Sequence, residues 1–241
     1  MIKNERFDSI LEILKQEKYS TPNELAKRLY VSPVTIRRDL KKLESDGLVN
    51  TCYGGVSIVS HENRDVPLAV RENFNENIKL SVAKRAAALI TDGSTVFLDA
   101  SSTASFVANF IEPEQNVTVI TNGIKALTIL SQRHIRAYCT GGKLINNSLA
   151  FTGAIALRTI GGMHADFMFF SSQGLSRDGK ISDFSESETE LRIAMLKHST
   201  RKYFLCDNSK IGKTFLFNVC DVTDTDGVIC DIDYRPQEQK D

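Results

Sequence analysis

The sequence of 241 residues has no apolar run of about 18 residues, the length that a membrane-spanning helix requires. Its first residues show no apolar core followed by a small-residue cleavage site, so we expect no signal peptide. It has only five cysteines, an odd number, and no pair has C-x-x-C spacing. We therefore expect reduced thiols in a cytoplasmic protein, and neither a disulfide framework nor a membrane partner.

Metal-binding patterns are also missing. The four histidines are scattered, and none has the spacing typical of a zinc site. We predict no metal and no cofactor. The apolar content of 41% and charged content of 25% are ordinary for a globular protein, and there are no internal repeats. The length allows one large domain or a small and a medium one.

What the chain does have is an uneven distribution of charge. The formal net charge is zero, but residues 27–42 carry six basic side chains and one acidic side chain. This segment has a local charge of +5, and the rest of the chain has −5. A localised basic patch predicts an anionic partner.

The patch falls on two of three predicted helices. Apolar spacing predicts a first helix over about 5–17. Thr21, Pro22 and Glu24 form a capping box with proline at the first helical position, which predicts the start of a second helix. A short turn at 30–31 precedes Ser32-Pro33, which repeat this start for a third helix ending near residue 47.

The third helix has two different faces. Ile36, Leu40 and Leu43 share one apolar stripe, and the basic side chains fall on the opposite face with Val34 and Thr35. Arginine and lysine bind phosphates or guanine edges, and valine or threonine can meet a thymine methyl. Two capped helices and a short turn predict a helix-turn-helix, and alternation around Gly54-Gly55 predicts a β-hairpin wing. The alternative is a solvated basic face on a structural helix.

The run VSPVTIRRDLKKLESDGLVNTCYGG, residues 31–55, resembles the winged helix-turn-helix of DeoR-type bacterial regulators. Thr51 stands where the family often has arginine, and Tyr53 where it usually has histidine. The resemblance implies double-stranded operator DNA as partner. Asp39 is expected to orient a neighbouring arginine or to cap structure. The candidate DNA-binding residues are Ser32, Pro33, Val34, Thr35, Arg37, Arg38, Lys41, Lys42 and Tyr53.

Beyond the wing the pattern changes twice. Residues 58–77 are polar and without sustained periodicity, which predicts a linker between a DNA-binding domain at 1–57 and a second domain at 78–241. In the second domain short apolar strands alternate with helical stretches. This predicts an α/β fold with a Rossmann-like parallel sheet covered by helices on both faces. The predicted strands are 94–100, 117–121, 135–140, 166–172, 202–207 and 227–232.

Small and polar residues follow several of these strands. In such folds ligands bind beyond the carboxyl ends of the strands, and hydroxyl groups, glycines and backbone N–H groups there can cradle a phosphate. The alternative for each is a helix cap or a tight turn. The residues that this argument selects are Asp99, Ser101, Ser102, Thr103, Thr121, Asn122, Gly141, Gly142, Gly174, Asp207 and Lys210.

Their order along the chain also resembles the DeoR-type sensor domain, which is similar in fold to ribose-5-phosphate isomerase and typically binds a phosphorylated sugar. The resemblance extends from about residue 3 to 232. It adds Lys79 and Glu190 to the candidate effector-binding residues, and places Arg192 where many members have lysine.

We expect a regulator and not an enzyme, with no catalytic residues. The best-supported function is a repressor of a sugar or carbohydrate operon, relieved by a phosphorylated sugar. A single winged module makes few base contacts, which predicts a homo-oligomer, a dimer or tetramer. The alternative is a sugar-phosphate isomerase-like enzyme with an accessory DNA-binding module, since Asp99, Asp166, Glu190 and Lys210 could supply an acid and a cation. We expect Asp166 at a strand start, away from the ligand edge.

Overall fold

The structure is a computed structural model and describes residues 3–17, 19–45, 49–52, 55–58 and 68–235. The chain divides into two compact units, residues 1–74 and 75–241. Tyr53, a candidate DNA-binding residue, lies outside the described residues, as do Gly54 and residues 59–67 of the predicted linker.

The first unit is a three-helix cluster with a small antiparallel sheet. The predicted capping box is present, since Thr21 Oγ1 accepts from Glu24 N at 3.1 Å and Glu24 accepts from Thr21 N at 2.8 Å. Cys52 pairs with Gly55 across the wing, and the first strand pairs with the third. The elements are α1 (Lys3–Glu17), β1 (Tyr19–Ser20), α2 (Pro22–Arg28), α3 (Pro33–Ser45), β2 (Val49–Cys52), β3 (Gly55–Ile58) and α4 (Leu68–Asn73).

The second unit is built on six parallel strands in the order β14-β12-β9-β4-β5-β6. The chain runs outward in one direction from β4 and in the other direction from β9, so the strand order reverses between these two neighbours. In open α/β sheets such a reversal opens a crevice at the carboxyl ends of the strands. The strands are β4 (Thr95–Leu98), β5 (Thr118–Thr121), β6 (Arg136–Cys139), β9 (Ala165–Phe170), β12 (Ser199–Leu205) and β14 (Gly227–Ile229).

Helices cover both faces of this sheet, which confirms the predicted fold class. Val96 and Leu98 of β4 belong to one buried cluster, with side chains of α5, α6 and α7, whereas Phe97 belongs to the other, with side chains of α8 and α9. This alternation follows from the two-residue period of a strand. The helices are α5 (Glu76–Ala87), α6 (Ser102–Ser105), α7 (Ile124–Gln132), α8 (Ala154–Gly161) and α9 (Glu186–Lys197).

Two small sheets were not predicted from the sequence. The hairpin of β7 (Lys143–Ile145) and β8 (Ala150–Thr152) lies against the end of β5, where Phe151 N donates to Asn122 O at 2.8 Å. The other sheet has the order β10-β11-β13, from β10 (Gly174–Leu175), β11 (Lys180–Asp183) and β13 (Phe217–Asp221). These short strands lack the continuous apolar runs that mark most strands of the main sheet, and they are too short to show alternation instead.

Candidate functional sites

The two faces of α3 are as predicted. Ile36, Leu40 and Leu43 are buried in the core of the first unit. The opposite face is open to solvent, with Val34 73% exposed and Thr35 partly buried. The other exposed residues of this face are Arg37, Arg38, Lys41 and Lys42, preceded by Pro33 and Ser32. The helix therefore presents four cations on its exposed face.

The start of α3 is fixed by two side chains that were predicted to contact DNA. Ser32 Oγ accepts a hydrogen bond from Thr35 N at 3.1 Å and lies 2.9 Å from Thr35 Oγ1. Pro33 occupies the first helical position, as the sequence predicted. Ser32 and Thr35 thus stabilise the helix start as well as flanking its exposed face.

Asp39 has a structural position on the same helix. It is fully buried, and its Oδ2 accepts from Arg6 Nε of α1 at 2.5 Å. The partner is therefore an arginine of another helix and not Arg37 or Arg38. This ion pair joins α1 to α3 and leaves the two exposed arginines unengaged by Asp39.

The wing is attached to the end of α3 through Thr51, the residue that stands where the family often has arginine. Its main-chain N–H donates to Glu44 Oε1 at 2.9 Å, and its hydroxyl donates to the same oxygen. Both residues are at least partly exposed. Thr51 therefore orients the wing against the helix.

In the second unit, Asp99 at the end of β4 is held in a buried ion-pair network. Arg192 Nε donates to Asp99 Oδ2 at 2.7 Å, and its other nitrogens donate to Asp183 at 2.8 Å and Glu188 at 3.1 Å. Burial would lower the pKa of Arg192, but the carboxylates of Asp183, Asp99 and Glu188 outweigh burial and raise it. Both carboxylate oxygens of Asp99 are thus engaged by groups of the protein itself.

Three hydroxyl groups follow Asp99. Ser101 Oγ donates to Asp99 Oδ1 at 2.5 Å and accepts from Ala104 N at 3.2 Å, so Ser101 caps the short helix α6. Ser102 and Thr103 are buried. Thr103 Oγ1 has no hydrogen-bond partner among the described residues. A buried hydroxyl without a partner is costly, which marks this position as one where a ligand would supply a missing contact.

A second such group lies on the neighbouring strand end. Asn122 is buried, its Nδ2 donates to Phe151 O at 3.1 Å, and its Oδ1 lacks a partner within the described part of the chain. Thr121 Oγ1 is occupied, because it accepts from Gly123 N at 3.0 Å. Strands β4 and β5 are adjacent and parallel, with Leu98 opposite Thr121, so both unsatisfied groups lie at the same edge of the sheet.

The predicted glycines allow close approach of the backbone at this edge. Gly141 and Gly142 have φ of 64° and 114°, a region that favours glycine. A Cβ on Gly142 would lie 2.5 Å from Thr152 O, and one on Gly174 would lie 2.5 Å from Lys213 O. These glycines are required by the fold whatever binds there.

Two lysines act electrostatically on Asp207, which follows β12. Lys210 Nζ donates to Ser171 Oγ at 2.9 Å and to Ser172 O at 2.5 Å, which follow β9. Asp207 Oδ1 accepts from Ser209 N at 3.0 Å and from Asn75 Nδ2 at 3.3 Å. Burial raises the pKa of Asp207, but Lys210, the Ser209 hydrogen bonds and Lys79 outweigh burial and lower it below the usual aspartate value. Lys79 is itself buried on α5.

Two acidic residues lie elsewhere. Glu190 is exposed on α9, because a step of two residues turns it away from the buried Arg192. The structure therefore does not bring Glu190 to the candidate site, and Glu188 contacts the network instead. Asp166 is exposed near the start of β9, where it accepts from Thr95 N at 2.8 Å. The sequence argument missed Asp183 and Glu188 because only the network reveals them.

Within the described residues there is no group of three or more His, Cys, Asp or Glu that could hold a metal ion. Over the same part of the chain, no helix has both the length and the apolar character needed to cross a membrane.

Family models match both units. Residues 6–62 match the DeoR-like helix-turn-helix domain, and residues 74–232 match the DeoR C terminal sensor domain. The chain belongs to the DeoR family of transcriptional regulators, as its sequence predicted.

Curated relatives cover nearly the whole chain. The HTH-type transcriptional regulator GolR of Listeria innocua is 32% identical, over 94% of this chain and 90% of that protein. The lactose phosphotransferase system repressor of Staphylococcus epidermidis is 30% identical, over 100% of this chain and 96% of that protein. The L-fucose operon activator of Haemophilus influenzae is 31% identical, over 95% and 92%.

Among solved structures, eIF2B delta from Chaetomium thermophilum has a TM-score of 0.50 at 14% identity, over 66% of this chain and 57% of that chain. At this identity the match shows only that the folds are similar.

Proposed function

We propose that this regulator binds operator DNA through α3 and represses a carbohydrate operon until a phosphorylated sugar binds at the carboxyl edge of its parallel sheet. The observation that carries the proposal is the exposed cationic face of α3, backed by a fully buried apolar stripe. Such a helix can enter a major groove without disturbing its own core.

On the DNA side, we assign Arg37 and Arg38 to guanine edges or phosphates and Val34 to a thymine methyl, as their chemistry suits. Lys41 and Lys42, farther along the helix, suit contacts to phosphates. Ser32, at the helix start, suits a contact to the DNA backbone. Pro33, Thr35 and the wing residue Tyr53 complete the proposed DNA-binding set, although Tyr53 lies outside the described residues.

On the effector side, the partnerless atoms Thr103 Oγ1 and Asn122 Oδ1 suit the oxygens and hydroxyls of a sugar phosphate. Lys79 and Lys210 supply positive charge beside the same edge. Asp99, Ser101, Thr121 and Asp207 already hold internal partners. We therefore assign them to positioning, together with the glycines Gly141, Gly142 and Gly174 that let the backbone approach.

The proposal also includes the sign of regulation, which is repression relieved by the effector. The repressor among the relatives supports repression, and the activator among them supplies the opposite outcome for the test. Effector binding would shift operator affinity by a coupling free energy of about 1–3 kcal/mol. We propose residues 1–57 as the DNA-binding domain, 58–77 as the linker and 78–241 as the sensing and oligomerisation domain of a cytoplasmic dimer or tetramer.

The test is fluorescence anisotropy of the full chain with DNA from upstream of its own operon, at fixed salt, with and without a panel of sugar phosphates. We expect tight, salt-sensitive binding that one compound releases. If the compound instead tightens operator binding, the proposed sign of regulation is reversed, and the assignment of the sensor site is kept. Absence of specific binding in every condition would contradict the proposal, and the same panel would then be assayed for isomerisation.

A further inference from the structure

Tyr30, in the turn between α2 and α3, has an unusual backbone conformation for its residue type. Its φ is 52°, in the left-handed region that favours glycine. The conformation is imposed by the end of α2: Leu29 N donates to Leu25 O at 2.9 Å and Val31 N donates to Ala26 O at 3.0 Å. This is the bonding of a helix end whose next residue is left-handed, most often glycine.

The strained backbone is not compensated by contacts of the Tyr30 side chain within its own unit. It is 94% exposed, more than any other large apolar or aromatic side chain described. Among the described residues it has no hydrogen bond and no ring contact, whereas the next residue, Val31, packs against the core of the unit. Packing therefore does not account for a tyrosine at a site where glycine would be less strained.

The position of Tyr30 is close to the proposed DNA-binding face. Two Cα–Cα steps of about 3.8 Å place its Cα within about 8 Å of Ser32, which caps α3. Val34, on the first turn of α3, is also highly exposed, at 73%. The exposed phenol thus lies beside the helix start and outside the helix itself, where contacts to the DNA backbone are made.

Resting on the proposed function, we propose that the Tyr30 hydroxyl donates a hydrogen bond to a backbone phosphate beside the groove that α3 enters. The contact fixes the register of α3 on the duplex and carries no base information. Since a phenol is uncharged, it releases no counterion and adds affinity without adding salt dependence. Strain stored at a binding residue is a known pattern at functional sites.

The test uses the full chain with a duplex selected from a randomised pool by the wild-type protein, and a scrambled duplex of equal length. Tyr30→Gly and Tyr30→Phe are each expected to weaken binding to both duplexes about tenfold, with the salt slope unchanged. Arg38→Ala, the control, is expected to lower the salt slope. Tyr30→Gly is also expected to raise the first thermal unfolding transition, by about 4–8 °C for a domain of this size, because strain is removed.

Opposite signs for stability and DNA affinity in Tyr30→Gly separate a binding role from a folding role. Wild-type affinity in both tyrosine variants, with loss in Arg38→Ala, overturns the Tyr30 assignment and keeps the proposed function. If DNA affinity falls in Tyr30→Gly and stays at the wild-type value in Tyr30→Phe, the proposed hydrogen bond from the hydroxyl is overturned. A change of sedimentation with unchanged DNA affinity assigns Tyr30 to a contact between copies and overturns the proposal. Absence of DNA binding by the wild type overturns both.

Discussion

Arg192 Nε lies 2.7 Å from Asp99 Oδ2, and this ion pair joins the middle of α9 to the carboxyl end of β4. The two residues are 93 positions apart in the sequence, and both are almost fully buried. Arg192 also bonds Asp183 and Glu188, so one cation fixes three carboxylates beside the candidate effector site.

Arg192→Met is expected to destabilise the second unit by about 3–5 kcal/mol, because it leaves buried carboxylates without their cation. The matched control is Lys180→Met, which breaks the half-exposed Lys180–Asp221 pair and is expected to cost less than about 1 kcal/mol. Chemical denaturation of the full chain measures both. Equal small effects would show that the buried network contributes little.

Arg37→Ala and Arg38→Ala are each expected to weaken operator binding by about 1–3 kcal/mol, since each removes a cation from the exposed face of α3. Lys197→Ala, an exposed lysine at the end of α9, removes the same charge from the other unit and should leave operator binding unchanged. Anisotropy measures all three. If both arginine variants bind the operator like wild type, α3 is not the recognition helix.

Thr103→Val is expected to leave stability unchanged or raise it by about 1 kcal/mol, because the buried hydroxyl has no partner to lose. Sugar-phosphate affinity should fall about tenfold, which calorimetry would measure. Thr159→Val is the contrast, because the hydroxyl of Thr159 donates to Thr140 O at 2.9 Å. This variant should lose about 1 kcal/mol of folding stability and keep the wild-type affinity for the sugar phosphate. Marked destabilisation by Thr103→Val would mean that this hydroxyl has an internal role.

The stability difference between wild type and Asp207→Asn is expected to depend on pH. The pKa of Asp207 in the folded protein is lowered, so its carboxylate stabilises the fold above the unfolded-state pKa of about 3.9. This contribution is lost as the pH falls through the lower folded-state pKa. Thermal midpoints of both proteins from pH 7 to pH 3 should converge at the acid end. Curves that stay parallel would contradict this assignment.

The sequence predicted the features that depend on local spacing. The capping box at Thr21 and Glu24, the two faces of α3 and the polar strand ends all follow from residues within a few positions of one another. The partners of Asp39 and Asp99 could not be predicted, because Arg6 and Arg192 come from distant helices. Glu190 was selected by resemblance, and its exposure follows from helical phase, which places Arg192 on the buried side.

The candidate effector site is assembled from strand ends spread between residues 99 and 210, because the strand order reverses at β4 and β9. During synthesis, α3 leaves the ribosome long before Arg192 and Lys210 do. If the two proposed functions are correct, a chain interrupted before α9 keeps its cationic helix and has no complete sensor. A proteolytic fragment of this kind would lack the complete oligomerisation domain as well, so its single DNA-binding domain would hold an operator more weakly than the whole chain and would not respond to any metabolite.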